Sequence, residues 1–253
     1  MIMCYQTRQI RTVKDLELRF NVGLINEAYR TGFDQPAFHL NGFAHPNMLI
    51  IPQDESSALV PGVWGIVPDN KRSDQIRDYY KEAIRYGSGL NARSEKLFQH
   101  YVYREVALTQ RCLIPVTGFF EPHTHLKKKY PYFIHREDDA PFALAGIYTI
   151  IESFITFTIL TKAATPLFER IHNVKKRQPV LVSKPFESTW LDPELSRSEI
   201  EDILHMTYPE EELETYTISK DLYNPKVDSN VDSIVNKVSY PELQDGTSGS
   251  LFG

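Results

Sequence analysis

Cysteine is scarce in this chain, with two in 253 residues. Cys4 and Cys112 cannot supply the several bridges that staple small secreted folds, so a reducing, cytoplasmic setting is expected. No apolar run approaches the length of a membrane span, and the start lacks the basic-then-apolar form of a signal peptide. No membrane association is expected. Positive charge is not in excess either: 28 basic residues face 33 acidic ones, for a net charge of −5. A polyanion would have to be held by a local patch, not by a global field. The phosphate-cradling glycine loop, the dinucleotide fingerprint and the G-x-S-x-G elbow are all missing. His123-Thr124-His125 has no further Cys or Asp at ligand spacing, so neither a metal nor a cofactor is expected.

What is present is ordinary globular composition, 42% hydrophobic and 24% charged, enough for one large domain. Thr12-Val13-Lys14-Asp15 has the form of a helix start, and Leu16, Phe20, Leu24, Ile25 and Ala28 extend a helical stripe to about Tyr29. Phe38–Phe43 has the character of a loop. Strands are expected over Met48–Pro52 and Leu59–Ile66. A helix capped by Ser73 should stop at Gly87, and a third should open after Asn91 and carry Leu97, Tyr101 and Val102. Arg111–Thr117 is expected as a strand running into Gly118-Phe119-Phe120-Glu121-Pro122 and then a turn rich in His and Lys, from His123 to Lys129. Tyr132–His135, Phe142–Ile151 and Phe154–Thr161 are β-rich runs with short connections, which favours antiparallel pairing. A short helix over Pro166–Ile171, a strand from Pro179, a helix over Ser198–Met206 and a strand over Thr215–Ser219 complete the pattern. The reading is a single α+β domain, residues 1–243, around a mostly antiparallel, barrel-like sheet with peripheral helices. Residues 244–253 form a loose tail by composition.

Several residues have the chemistry of a site. A cysteine this near the start can become the first residue of a mature chain, with an amine and a thiol side by side; the amine forms imines with aldehydes, and the thiol closes them to a five-membered ring. A small buried hydrophobe is the competing reading of Cys4. Glu121, behind two aromatics, is placed to lose solvation and become a proton donor or acceptor near neutrality, although a solvated loop residue reads the same way. His172 precedes Lys175, Lys176 and Arg177, an imidazole beside cations able to hold phosphate, in a run that also suits a solvated loop. Asn91 and Arg93 offer an amide to position an amine or carbonyl and a guanidinium for phosphate, or else a helix cap with a surface ion pair. Trp64 and Phe43 are read first as core and second as platforms for unstacked bases.

The ordered set of Cys4, Asn41, Trp64-Gly65 before Pro68, Asn91-Ala92-Arg93-x-Glu95, Gly118-Phe119-Phe120-Glu121, Thr161, Ile171-His172 and Arg177-x-Pro179 resembles the SOS-response-associated peptidase (SRAP) family of abasic-site shielding proteins. The resemblance runs from Cys4 to about Asn230. It implies single-stranded DNA as partner and covalent trapping of the abasic aldehyde as a thiazolidine; a monomer is expected, though no residue of the sequence speaks to it. It also implies autoproteolytic removal of the initiating segment and an associated lyase activity. A cytoplasmic protein that joins the nucleoid through DNA follows. Carried over, Cys4 supplies both nucleophiles, Asn91 positions the amine, Glu121 assists ring opening and proton transfer, and His172 assists the Schiff-base chemistry. Asn41, Trp64, Arg93, Thr161 and Arg177 match positions assigned to DNA binding. An N-terminal-nucleophile peptidase or amidase, or a non-covalent reader of modified bases, would use the same pocket.

Four departures from the family pattern bear on the site. Met1-Ile2-Met3 precede Cys4, and Ile2 should block ordinary methionine trimming, so translation starts at Met3 or three residues are excised. Tyr5-Gln6 stand where Gly-Arg is usual, which removes one expected phosphate contact. His172 to Pro179 is three residues longer than the compact motif, and Pro122 replaces a tryptophan.

Overall fold

The computed structural model describes residues 4–244. Strands run, in chain order, β1 Gln6–Gln9, β2 Gly23–Leu24, β3 Ala37–Asn41, β4 Asn47–Pro52, β5 Ala58–Trp64, β6 Asn91–Arg93 and β7 Arg111–Val116. They continue as β8 Gly118–His125, β9 Lys128–Arg136, β10 Phe142–Ile151, β11 Phe154–Ala163, β12 Arg177–Pro179, β13 Leu181–Val182 and β14 Leu213–Thr217. The sequence β5-β4-β7-β10-β11 returns to β5 and closes a five-stranded barrel. An odd ring cannot alternate direction throughout, and the one parallel junction is β5 with β11, Thr156 opposite Val63. A second, antiparallel sheet in the order β14-β9-β8-β1-β3 leans on it. The fold is α+β, as expected.

Strand periodicity sorts the core. Leu49, Ile51, Leu113, Ala143, Ala145 and Ile147 have one parity and pack with Leu16, Trp190, Ile200 and Ile203 of the covering helices. Met48, Ile50, Cys112, Ile114, Leu144 and Phe157 have the other and fill the ring, together with Cys4, Phe119, Phe168 and Ile171 from outside it. The apolar cluster inside the barrel therefore extends to Cys4.

The structure departs from the sequence reading in four places. The first helix ends at Phe20, because Asn21 adopts φ 54 and turns the chain so that Gly23–Leu24 pairs with β5; Asn is among the few residues that tolerate this region. Phe38 and its neighbours form strand β3, paired with β1. Asn91–Arg93 is a strand parallel to β11, and the helix that follows it begins only at Tyr103, after a 3₁₀ turn over Ser94–Gln99. The His- and Lys-rich stretch is mostly strand: β8 and β9 pair out to His125 and Lys128, leaving Leu126 and Lys127, both at positive φ, as a two-residue turn. The Thr12 capping box, the Gly87 stop at φ 99 and the helix Pro166–Ile171 stand as expected. Of the proposed tail, residues 245–253 lie outside the described residues.

Candidate active site

Glu121 reaches the site because β7 passes through Thr117 into β8 and crosses from the barrel to the second sheet. β1 pairs with the start of β8, Thr7 opposite Phe119, and continuing that register brings the chain before Gln6 alongside Glu121. Gly118 permits this packing, since a Cβ there would lie 2.4 Å from the Phe133 ring. Asn91 is delivered by a tight turn in which Gly87, Ser88 and Gly89 all have positive φ. At Gly89 a Cβ would sit 2.4 Å from the Ile66 carbonyl oxygen, so only glycine fits. His172 caps the C-terminal end of the helix Pro166–Ile171.

These elements converge. The Asn91 side-chain amide donates to the Cys4 carbonyl at 3.0 Å. Glu121 is fully buried, and burial pushes its pKa up to about 8 against the opposing pull of hydrogen bonding from the thiol and main chain of Cys4. Neither carboxyl oxygen has a hydrogen bond of full geometry among the described residues, which makes this an underserved buried acid. His172 Nδ1 lies 3.4 Å from Glu121 Oε2 and 3.2 Å from the Arg177 carbonyl oxygen. Burial depresses the imidazole, and the charges of Lys175 and Lys129 add to the effect, against the hydrogen bond to Arg177. With the acid held protonated and the imidazole held neutral, their contact at pH 7 joins two neutral groups and is no ion pair. The Cys4 thiol, 1% exposed, is raised well above its ordinary pKa by burial and then by Glu121, so it stays a thiol.

The residues matched to DNA binding divide. Arg93 and Asn41 are exposed, Asn41 holding the N–H of Phe43 at 3.1 Å. Trp64 is wholly buried, its indole N–H donating to the Leu90 carbonyl at 2.9 Å; it braces the turn before Asn91 and presents no surface to a strand of DNA. Thr161 is likewise buried, bonded to the Ala92 carbonyl, because β11 lies between β6 and β12. Arg177 is 4% exposed, and its guanidinium bonds to Glu95, to the Thr161 carbonyl at 2.7 Å and to the Thr161 hydroxyl. These three are supports of the site in this conformation, not open contacts. Glu95 was legible only as part of a motif, and its pairing with Arg177 follows from the β6–β11–β12 order. Asn173, which donates to and accepts from the Thr124 main chain at 2.8 and 3.0 Å, carried no sequence signal.

Among the described residues no group of three or more His, Cys, Asp or Glu could hold a metal, and no helix is long and apolar enough to cross a membrane. A thiol beside a neutral acid that in turn meets a neutral imidazole has the make-up of a site for nucleophilic chemistry with proton transfer, set against the barrel. The family model described as SOS response associated peptidase (SRAP) matches residues 3–225, and the chain belongs to that family. Abasic site processing protein YoaM of Bacillus subtilis is 27% identical over 212 residues, spanning 81% of this chain and 87% of that protein. Abasic site processing protein YMR114C of Saccharomyces cerevisiae is 31% identical over 167 residues, 63% of this chain and 42% of that one. A crystal structure of a protein from Bacteroides thetaiotaomicron matches with a TM-score of 0.79 at 28% identity, covering 93% of this chain and all of that one.

Proposed function

We propose that this protein processes abasic sites in DNA by capturing their ring-opened aldehyde on Cys4, in single-stranded DNA. The observation that carries this is the juxtaposition of Cys4 with a buried Glu121 carboxyl that lacks a hydrogen bond of full geometry, and with Asn91. Once residues 1–3 are gone, the Cys4 nitrogen becomes an amine beside that acid. The amine adds to the sugar C1′ carbonyl, and Glu121 lends the proton with which the carbinolamine expels water as an imine. The Cys4 sulfur then adds to the imine carbon, its proton passes to nitrogen, and the thiazolidine closes with one water lost overall. Burial holds Cys4 as a thiol, so the sulfur must give up its proton as the C–S bond forms, and the imine nitrogen is the group that takes it.

Release of residues 1–3 is proposed as hydrolysis of the Met3–Cys4 bond at the same site, the Cys4 thiol and Glu121 assisting. When the thiol does not close the ring, the imine acidifies the adjacent sugar carbon and permits β-elimination, the proposed lyase reaction. Arg93 and Asn41 remain the open candidates for contact with the strand. The working form is proposed to be a cytoplasmic monomer that joins the nucleoid through DNA.

The test uses protein beginning at Cys4 with three single-stranded oligonucleotides, one abasic, one intact and one abasic but reduced to the alcohol, resolved under denaturing conditions. A stable conjugate with the first alone supports the reading. Equal conjugation of the reduced strand, or turnover of unrelated amides without conjugation, refutes it.

A further inference from the structure

The lengthened loop between His172 and Arg177 has no part in the chemistry above, yet it is closed and ordered by its own bonds. The Lys176 N–H returns to the His172 carbonyl at 2.8 Å, with Lys176 at φ 50, and the Lys176 carbonyl accepts from the Ala164 N–H at 3.0 Å where β12 begins. The turn carries the Arg177 carbonyl oxygen back to 3.2 Å from His172 Nδ1. Val174, Lys175 and Lys176 are exposed, whereas Asn173 is half-buried and turns inward.

Asn173 turns onto β8. Strand β1 pairs with β8 only at Gly118 and Phe119, so beyond Phe119 that edge has no ladder partner among the described residues. At Thr124 the Asn173 amide takes the place of one, donating to the carbonyl at 2.8 Å and accepting from the N–H at 3.0 Å. One residue earlier on the strand, His123 Nδ1 lies 2.9 Å from the Arg170 carbonyl oxygen. The chain on both sides of His172 is therefore tied to β8 just past Glu121, the residue whose carboxyl His172 meets at 3.4 Å.

This docking decides which ring nitrogen carries the proton. A carbonyl oxygen only accepts, so the contact with Arg177 places the proton on Nδ1 and the lone pair on Nε2. We infer that Asn173 is a positioning residue of the site: by fastening the loop to β8 it fixes His172 against Glu121 in the Nδ1–H form, with Nε2 as its basic nitrogen. The inference rests on Cys4 capturing a DNA aldehyde, and it gives the longer loop a use, since the extra residues supply the side chain that docks it.

The test uses the full chain beginning at Cys4, together with Asn173→Ala and the milder Asn173→Ser, which can make at most one of the two bonds. One readout is the rate of capture of 2-deoxyribose, which offers the aldehyde without phosphate or base. The other is the pH titration of the His172 ring by nitrogen-15 NMR, which reports tautomer and midpoint. Asn173→Ala should slow capture roughly tenfold to a hundredfold, the range for a reacting group displaced by about 1 Å, and Asn173→Ser should lose less. Burial, ahead of the charges of Lys175 and Lys129, holds the parent midpoint below the ordinary imidazole value. Freeing the loop admits water, so in Asn173→Ala the midpoint should rise and the preference for Nδ1–H should weaken. The charged and titratable groups facing this ring and its acid are Lys175 on the loop, Lys129 on β9, and Cys4, Tyr5 and Tyr223 about Glu121; the alanine variant keeps them all, so the rise reports solvation. An unchanged rate, midpoint and tautomer in both variants would overturn the positioning role, even if urea unfolding showed a loss of stability. A parent chain that fails to capture deoxyribose, while the ring still shifts in Asn173→Ala, would overturn the reading of Cys4 and leave the docking of His172 intact.

Discussion

Replacing Glu121 by Gln should change how stability depends on pH more than it changes stability itself. The acid titrates near 4.5 when solvated and near about 8 in the fold, with burial as the main cause. A folded-state pKa above the unfolded one means that the native protein binds this proton more tightly. The resulting stabilisation is complete below about 4.5 and is lost as pH climbs to about 8. At about 1.4 kcal/mol per pH unit, wild type should lose about 4 kcal/mol relative to Glu121→Gln between pH 5 and pH 9. Because the side chain is wholly buried, solvent screening does not reduce this figure. Urea unfolding of both proteins at those two pH values measures it. Parallel profiles for wild type and variant would show that Glu121 is solvated or already ionised, and would remove the proton donor from the mechanism. In protein beginning at Cys4 the new ammonium should pull the acid back down, so the same comparison should give a smaller difference.

Gly89→Ala should destabilise the fold by about 2 kcal/mol, within the range for a forced left-handed residue, and should slow capture by displacing Asn91; thermal unfolding and conjugation rates read the two effects. Trp64→Phe removes one of the two donors to the Leu90 carbonyl, the Ile159 N–H at 3.2 Å remaining, and the lost hydrogen bond should cost about 0.5–1.5 kcal/mol while leaving the salt slope of DNA binding unchanged, whereas a flattened slope or altered base preference would return Trp64 to the interface. Asn91→Ala should slow capture with little change in DNA affinity, since its amide holds the Cys4 main chain; a matching fall in affinity would mark it instead as a DNA contact.

Much of the β framework was legible because its strands are long, apolar and bounded by turn residues. Phe142–Ile151 lies in the ladder as expected, and its alternation separates ring from helix cover. The barrel closure was not legible, because it depends on a parallel contact between β5 and β11, some ninety residues apart. Local periodicity misled at Leu24 and Ile25, where a left-handed Asn21 overrode the helical stripe. At the site, Cys4, Asn91, Glu121 and His172 stood out by chemistry and order, and the fold brings them together. Trp64, Thr161 and Arg177 matched by the same motifs, yet strand order encloses them, and motif spacing carries no information on which face of a strand is covered. The docking of Asn173 on Thr124 was invisible for a related reason: it joins the loop after His172 to an edge of β8 that only the strand order leaves open.

The most direct measurement is the intact mass of the conjugate formed by protein beginning at Cys4 and an abasic single strand, compared for Cys, Ser and Ala at position 4. The cysteine protein should give the sum of the two masses less one water and survive heat. Cys4→Ser should give at most a labile species, and Cys4→Ala no stable one. A stable conjugate of the same mass from Cys4→Ala would contradict the assignment of the nucleophile, and with it the account of the site.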